Sequence, residues 1–373
     1  MRVTIIGPAY PLRGGISHHV YYLKRELTGR GHSVQVVSFR KLYPKLLFPG
    51  STQLDTSASG LDANGQSILG SLNPFTWIKA FKAVKAFSPD VVVFQWWHSF
   101  FAPLVGTLAR AFRRSGLKCI LECHNVFPHE RSPFDALLLK FASGPFDHYI
   151  THSQKDRTDL LSIVPGKAVS VCQLPVPKQF SGGSTNARDG RTILFFGTVR
   201  KYKGLEVLLA ALPKVLAQTE CQLIVAGEFY DSVEKYRQLI RAHGIEQHVS
   251  LDNRYIPNEE IAGIFDRADV LVLPYLSATQ SAVARIALLN GLPLIASRTG
   301  GLTEIVVEGR NGLLFPPGDA DALAELIFTY FACNRGPEFA GNIRASLQSD
   351  SHSEIAEAIE QIAEGGFRKN EGF

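Results

Sequence analysis

Short runs of four to six apolar residues alternate with stretches of helical periodicity along most of this chain. That alternation predicts strands joined by helices, the signature of parallel α/β sheets. In the first half, strands are predicted at Val3–Ile6, Val34–Ser38, Val91–Gln95, Cys119–Glu122, His148–Thr151 and Ala168–Cys172. After Gly14-Gly15, the residues Ile16, Val20, Leu23 and Leu27 fall on one face of a helix. Residues 50–72 are rich in Ser, Gly and Asn and poor in large apolar groups, so they read as a long loop. Strands resume at Thr192–Phe196, Gln222–Ala226, Val249–Leu251, Val270–Pro274 and Leu294–Ser297, and helical patterns dominate after residue 318.

Two domains are the expectation for 373 residues. The segment SGGSTNARDG, residues 181–190, is the clearest linker, with Pro175 and Pro177 just before it. It divides a domain over 1–180 from one over 191–345, and leaves a helical tail at 346–373 that would return to the first domain. No stretch approaches 18 consecutive apolar residues, so no spanning helix is predicted. The first strand is too short for a signal peptide's apolar core. Five cysteines without metal spacing fit packing in a reducing cytoplasm. A formal charge of +5 is too small to argue nucleic-acid binding, but it suits an anionic substrate or an anionic lipid surface.

The candidate chemistry sits at strand ends. In TILFFGTVRKYKG the strand stops at Gly197, and Arg200, Lys203 and Gly204 lead into a helix-patterned run. Two cations beside a helix N-terminus suit a diphosphate, because the fork of Arg, the point charge of Lys and free backbone N–H groups all favour phosphate oxygens. Gly14-Gly15 opens a helix after a strand and lets a ligand approach the backbone, but it is not the GxGxxG dinucleotide fingerprint. His124 and Asn125 directly follow a strand, where ligands bind in open α/β sheets, and His98 and His129 are weaker candidates. Acidic residues there show no metal-ligand pattern, so no metal is expected. Thr279, Gln280 and Ser281 precede another helix, where hydroxyls serve either phosphates or the helix cap. In NPFTWIKAFKAVKAF, Asn73 caps and Pro74 starts a helix whose Lys79, Lys82 and Lys85 share one face, while Trp77, Phe81 and Val84 line another. That pattern fits an ordinary amphipathic helix or one lying on an anionic membrane.

Taken in order, GGISHHV, CHN, FFGTVRKYKG, VAGEFY, ADVLVLPY, GLPLIAS, GGLTEIV and EGRNGLLFPPGD resemble the retaining glycosyltransferases of family 4, with the GT-B architecture of two Rossmann-like parallel-sheet domains facing a central cleft. The resemblance covers nearly the whole chain and is strongest over residues 190–318. It implies transfer of a hexose, with retention, from a nucleotide diphosphate sugar to a hydroxyl of a lipid-linked or surface-glycan precursor. No metal or cofactor is expected, and the cysteines and the basic 73–87 helix point to the cytoplasm, at the inner face of the cell membrane. By this resemblance Arg200, Lys203 and His124 act on the reacting groups, with Lys203 on the diphosphate and His124 at the donor sugar. Gly14, Gly15, Gly197, Gly227, Glu228, Tyr255, Ile256, Thr279, Gln280 and Ser281 would border the donor, with Tyr255 and Ile256 along the base.

Two departures stand out. The family's arginine directly after the strand-end glycine is Thr198 here, which leaves Arg200 as its substitute. The usual Glu-x7-Glu positions hold Ala278 and Ile286, and Glu304 lies too far along to replace the second. This loss leaves a catalytically degenerate GT-B binding subunit as a second reading, and the shared architecture leaves a nucleotide-sugar epimerase as a third.

Overall fold

The computed structural model describes residues 1–44, 48, 50–58, 60–128, 132–175, 180, 190–346 and 352–365. The chain forms two compact units. One comprises Met1–Thr56, Gly60–Pro175 and Ser351–Phe373, and the other Ser57–Ser59 and Val176–Asp350.

The first unit holds seven strands: β1 (Arg2–Ile6), β2 (Ser33–Lys41), β3 (Gln66–Gly70), β4 (Val91–Trp96), β5 (Lys118–Cys123), β6 (His148–Thr151) and β7 (Ala168–Val171). They form one parallel sheet in the order β3-β2-β1-β4-β5-β6-β7. Its helices are α1 (Gly15–Gly29), α2 (Pro74–Phe87), α3 (Ala102–Arg114), α4 (Asp135–Ser143) and α5 (Gln154–Ile163). The second unit has β8 (Thr192–Phe196), β9 (Gln222–Ala226), β10 (Val249–Asp252), β11 (Val270–Leu273), β12 (Leu294–Ser297) and β13 (Gly312–Phe315), parallel in the order β10-β9-β8-β11-β12-β13. Its helices are α6 (Leu205–Leu216), α7 (Val233–Ala242), α8 (Asn258–Asp266), α9 (Ala282–Leu289), α10 (Leu302–Ile305), α11 (Ala320–Ala332) and α12 (Arg335–Ser346). The last helix, α13 (Ser353–Glu364), belongs to the first unit.

Each sheet is covered on both faces, which is why central strands such as β4 and β11 are largely apolar rather than alternating. Along β4, Val92, Phe94 and Trp96 join one apolar cluster, while Val91 and Val93 join the cluster on the opposite face. In β8, Ile193 and Phe195 face one core of the second unit and Leu194 and Phe196 the other. The α13 helix lays Ile355, Ile359 and Ile362 against Val20, Leu23 and Leu27 of α1. Arg30 then reaches Glu357 at 2.8 Å and Glu360 at 3.1 Å.

One element corrects the sequence reading. The stretch 50–72, expected to be a loop, contains the edge strand β3, which pairs with β2 through a shifted register. Its segment QSILG has few apolar residues because one edge of the strand has no neighbour, and its burial is partial. The short β13 was also not foreseen; GLLF is only four residues long and follows a turn. Nearly all of the expected linker at 181–190 lies outside the described residues, as does His129.

Candidate functional site

In the second unit the strand order reverses between β8 and β11, which lie side by side. Ligands in open α/β sheets bind beyond the carboxyl ends of the strands at such a reversal. The loops that leave these two strands are Gly197–Gly204 and Pro274–Ser281. They carry Arg200, Lys203, Thr279, Gln280 and Ser281, and the fold brings these separate segments to one place.

The backbone there is tightly knit. Gly197 N donates to Ala226 O at 2.9 Å, Val199 N to Glu228 O at 2.8 Å and Tyr230 N to Val199 O at 3.0 Å. A β-carbon on Gly227 would stand 2.3 Å from Gly197 O, and its φ is +145°, so only glycine fits this approach of two chains. Leu276 N donates to Tyr202 O at 2.7 Å and ties the second loop to the first.

Lys203 is buried beneath these loops. Its Nζ lies 5.7 Å from the centre of the Tyr275 ring, and a β-carbon on Gly197 would meet it at 3.0 Å. Arg200 stacks over Tyr230 at 5.4 Å. Neither cation has an ion pair among the described residues, whereas Arg30, Arg254 and Arg298 all have one. Burial first, and then the charge of Arg200, push the Lys203 ammonium down to about 8. A buried ammonium facing a second positive charge is costly in itself, and a bound anion would remove that cost.

Ser281 is buried and caps α9, its Oγ accepting from Ala284 N at 3.1 Å. Its side chain also contacts Tyr275, so the α9 cap, Tyr275 and Lys203 form one connected group. Gly301 N donates to Thr279 O at 2.9 Å, which draws the start of α10 against the 279–281 loop. Tyr255 is half-buried, and Ile256 packs with the apolar cluster of Ile261 and Ile264. Ala278 and Ile286, where carboxylates were looked for, are both buried in that same cluster.

In the first unit, Gly14 begins α1 with φ +117°, a conformation that favours glycine, and no heavy atom lies within 4 Å of a β-carbon built on Gly14 or Gly15. His98 Nδ1 accepts from Phe100 N at 3.1 Å and caps a short turn. His124 is buried immediately after β5; its N donates to Trp96 O at 2.8 Å and its Nε2 meets Gln95 Oε1 at 2.6 Å. Asn125 is half-buried beside it.

Sequence reasoning missed the surroundings of His124. Glu122 is fully buried, with Oε1 2.8 Å from His19 Nε2 and 3.5 Å from His152 Nε2, and Oε2 accepting from Gln95 Nε2 at 2.7 Å. His352 packs its ring 5.1 Å from that of His19. Burial pushes the Glu122 carboxyl up, but the facing His19, His152 and His124 outweigh it and hold the group well below the usual carboxylate range. Burial, followed by His19 and His152, holds His124 well below its ordinary value. The one available signal was a charged residue inside the apolar strand LKCILEC.

Residues 13–178 match the domain described as Glycosyltransferase Family 4, and residues 190–332 match the one described as Glycosyl transferases group 1. D-inositol 3-phosphate glycosyltransferase of Corynebacterium diphtheriae is 34% identical over 148 residues, covering 37% of this chain and 34% of that protein. The match thus spans about a third of that relative's length. The phosphatidylinositol N-acetylglucosaminyltransferase gpi3 subunit of Schizosaccharomyces pombe is 22% identical, over 86% of this chain and 71% of that one. Among solved structures, Anabaena HepE (Alr3699) in complex with UDP-glucose superposes with a TM-score of 0.76 at 17% identity, over 97% of this chain and 99% of that one. Two parallel-sheet units and two matched domains in this order make the chain a member of the family 4-like glycosyltransferases of GT-B fold.

Proposed function

We propose that this protein transfers a hexose from a nucleotide diphosphate sugar, with retention, to a hydroxyl of a lipid-linked or surface-glycan precursor. The observation that carries the reading is the pair Arg200 and Lys203, cations with no ion pair among the described residues at the β8/β11 reversal, with Lys203 buried. The hard step in such a transfer is departure of the nucleoside diphosphate, during which negative charge grows on its β-phosphate. In this scheme Arg200, Lys203 and the backbone N–H groups at the start of α9 stabilise that charge, and no metal is needed at the phosphates. The departing phosphate takes the acceptor proton in this scheme. A uridine donor is favoured by the solved relative that holds UDP-glucose, and a lipid-borne acceptor by the relative named for phosphatidylinositol.

Peripheral contact with an anionic membrane is part of the proposal. On α2, Phe75 is 76% and Ile78 53% exposed, beside exposed Lys79, Lys82 and Lys85. Apolar side chains that enter the interface and cations that meet lipid phosphates are what such a surface requires. Among the described residues, no helix is long and apolar enough to cross a membrane.

The test is incubation with UDP-, GDP- and dTDP-hexoses together with lipid-linked acceptors, followed by mass spectrometry of the lipid and NMR of the new anomeric centre. A glycosylated lipid with the donor's anomeric configuration is expected. The apolar burial of Ala278 and Ile286 favours one rival, a binding subunit that holds nucleotide without transferring sugar. Nucleotide binding without either transfer or donor hydrolysis would establish that rival, and conversion of the donor sugar without any acceptor would establish an epimerase.

A further inference from the structure

The buried histidines around Glu122 belong to none of the steps above. Four imidazoles from four separate segments surround one carboxylate: His19 from α1, His124 after β5, His152 after β6 and His352 before α13. One ligating atom each from His19, Glu122 and His124 lies within 4.8 Å of the other two.

Their hydrogen bonds orient the rings. Cys172 O can only accept, so at 3.0 Å it takes a proton from His152 Nδ1 and leaves Nε2 with its lone pair toward Glu122. Gln95 donates its amide to Glu122 Oε2, which turns Oε1 toward His124 Nε2 and makes that nitrogen the donor. A backbone or amide carbonyl that fixes the tautomer of an imidazole is the usual outer support of a metal-ligating histidine.

The centre of the group is not satisfied by its own members. His19 is 4% exposed, yet neither of its nitrogens has an aligned hydrogen-bond partner, and Glu122 Oε1 has none either, although His19 Nε2 stands 2.8 Å from it. Buried polar atoms that converge without bonding call for a third body between them. Ligands of a tetrahedral zinc ion at its ordinary bond lengths lie about 3.3 Å apart. The distances of 2.8 and 3.5 Å from Glu122 Oε1 to His19 and His152 bracket that value.

We propose that His19, Glu122 and His124 bind one divalent transition-metal ion of the zinc type, with His152 as the fourth side chain facing it. The set of imidazoles and one carboxylate suits zinc rather than magnesium or calcium, which prefer oxygen. The role is structural. The ion joins α1 to the ends of β5 and β6 and fixes the ring of His124. It stands in the first unit and takes no part in holding the diphosphate in the second.

The test uses the full chain, freed of any affinity tag, loaded with zinc and dialysed against metal-free buffer. Elemental analysis by plasma mass spectrometry is expected to find about one zinc per chain. His19→Ala and Glu122→Gln are expected to lose it, and Lys203→Ala to keep it while losing UDP. If either variant fails to fold by circular dichroism, His152→Gln replaces it. A cobalt-loaded sample would show the visible absorption of a four-coordinate site. Folded wild-type protein with less than about 0.1 zinc per chain, or unchanged zinc in the folded variants, overturns the proposal. Because zinc content is read without nucleotide, its failure leaves UDP binding untouched, and a failure of UDP binding leaves zinc untouched.

Discussion

The Lys203 ammonium stands 5.7 Å from the centre of the Tyr275 ring, with an aromatic face beside it where a buried lysine ordinarily has a carboxylate. The ring's quadrupole offsets part of the desolvation without cancelling the charge. An anion is therefore the partner proposed for this ammonium, which lies by the C-terminal edge of the sheet between β8 and β11, where open α/β sheets bind ligands.

Removing that charge reports on the transition state. Lys203→Ala is expected to lower turnover by roughly 10²-fold or more, the scale of one lost preorganised donor. The measurement is kcat for sugar transfer under saturating donor, with circular dichroism to confirm folding. Turnover within about threefold of wild type would remove Lys203 from the reacting centre.

The titration of Lys203 predicts a pH dependence. In the free protein its proton is lost near pH 8, so affinity for UDP should be level below that pH and fall above it, approaching tenfold per pH unit. Lys203→Met should abolish this fall. In the unliganded protein the sign is opposite. The group's folded value of about 8 lies below the ordinary lysine value of 10.5, so its burial costs stability fully below pH 8, and that cost fades as pH rises toward 10.5. Calorimetric titration with UDP from neutral to alkaline pH checks the first statement, and denaturation of the apo protein against Lys203→Met checks the second.

Ser281 separates a cap from a phosphate contact. Its hydroxyl is buried and already serves Ala284 N. Ser281→Ala should cost about 1 kcal/mol of stability, the ordinary loss of a helix cap, and change UDP affinity by less than about threefold. Denaturant unfolding and UDP titration of the same sample measure both. A large loss of affinity with unchanged stability would assign the hydroxyl to the donor instead.

Membrane contact rests on α2. Phe75→Ser with Ile78→Ser should weaken co-sedimentation with anionic vesicles at every salt concentration, because buried apolar area is lost. Lys79→Glu with Lys82→Glu should weaken it chiefly at low salt, where exposed charges act most strongly. Absence of wild-type binding at low salt would remove the idea.

Much of this architecture was legible because both sheets are buried on both faces. Residues 91–94 and Val270–Leu273 are unbroken apolar runs, the mark of strands covered on both faces. The edge strand Gln66–Gly70 escaped notice for the converse reason, since it is half-covered and can be polar. At the donor pocket, Gly197, Arg200 and Lys203 lie within seven residues and carry their chemistry in one motif. The histidine group could not be read that way. Its members are drawn from residues 19, 122, 124, 152 and 352, and only the strand order and the return of α13 bring them together. The expectation that no metal binds rested on spacing along the chain, which carries no information about such a group.

The most direct measurement is thermal unfolding with UDP, GDP, ADP, CDP and dTDP, on wild type, Arg200→Ala and Lys203→Ala. A nucleotide at about 100 times its dissociation constant adds about 2.7 kcal/mol to the unit that binds it, a shift of several degrees. The account predicts that one nucleotide, UDP first among them, shifts the wild type and neither variant. No shift with any of the five, or equal shifts in all three proteins, would contradict the assignment of Arg200 and Lys203 to a nucleoside diphosphate.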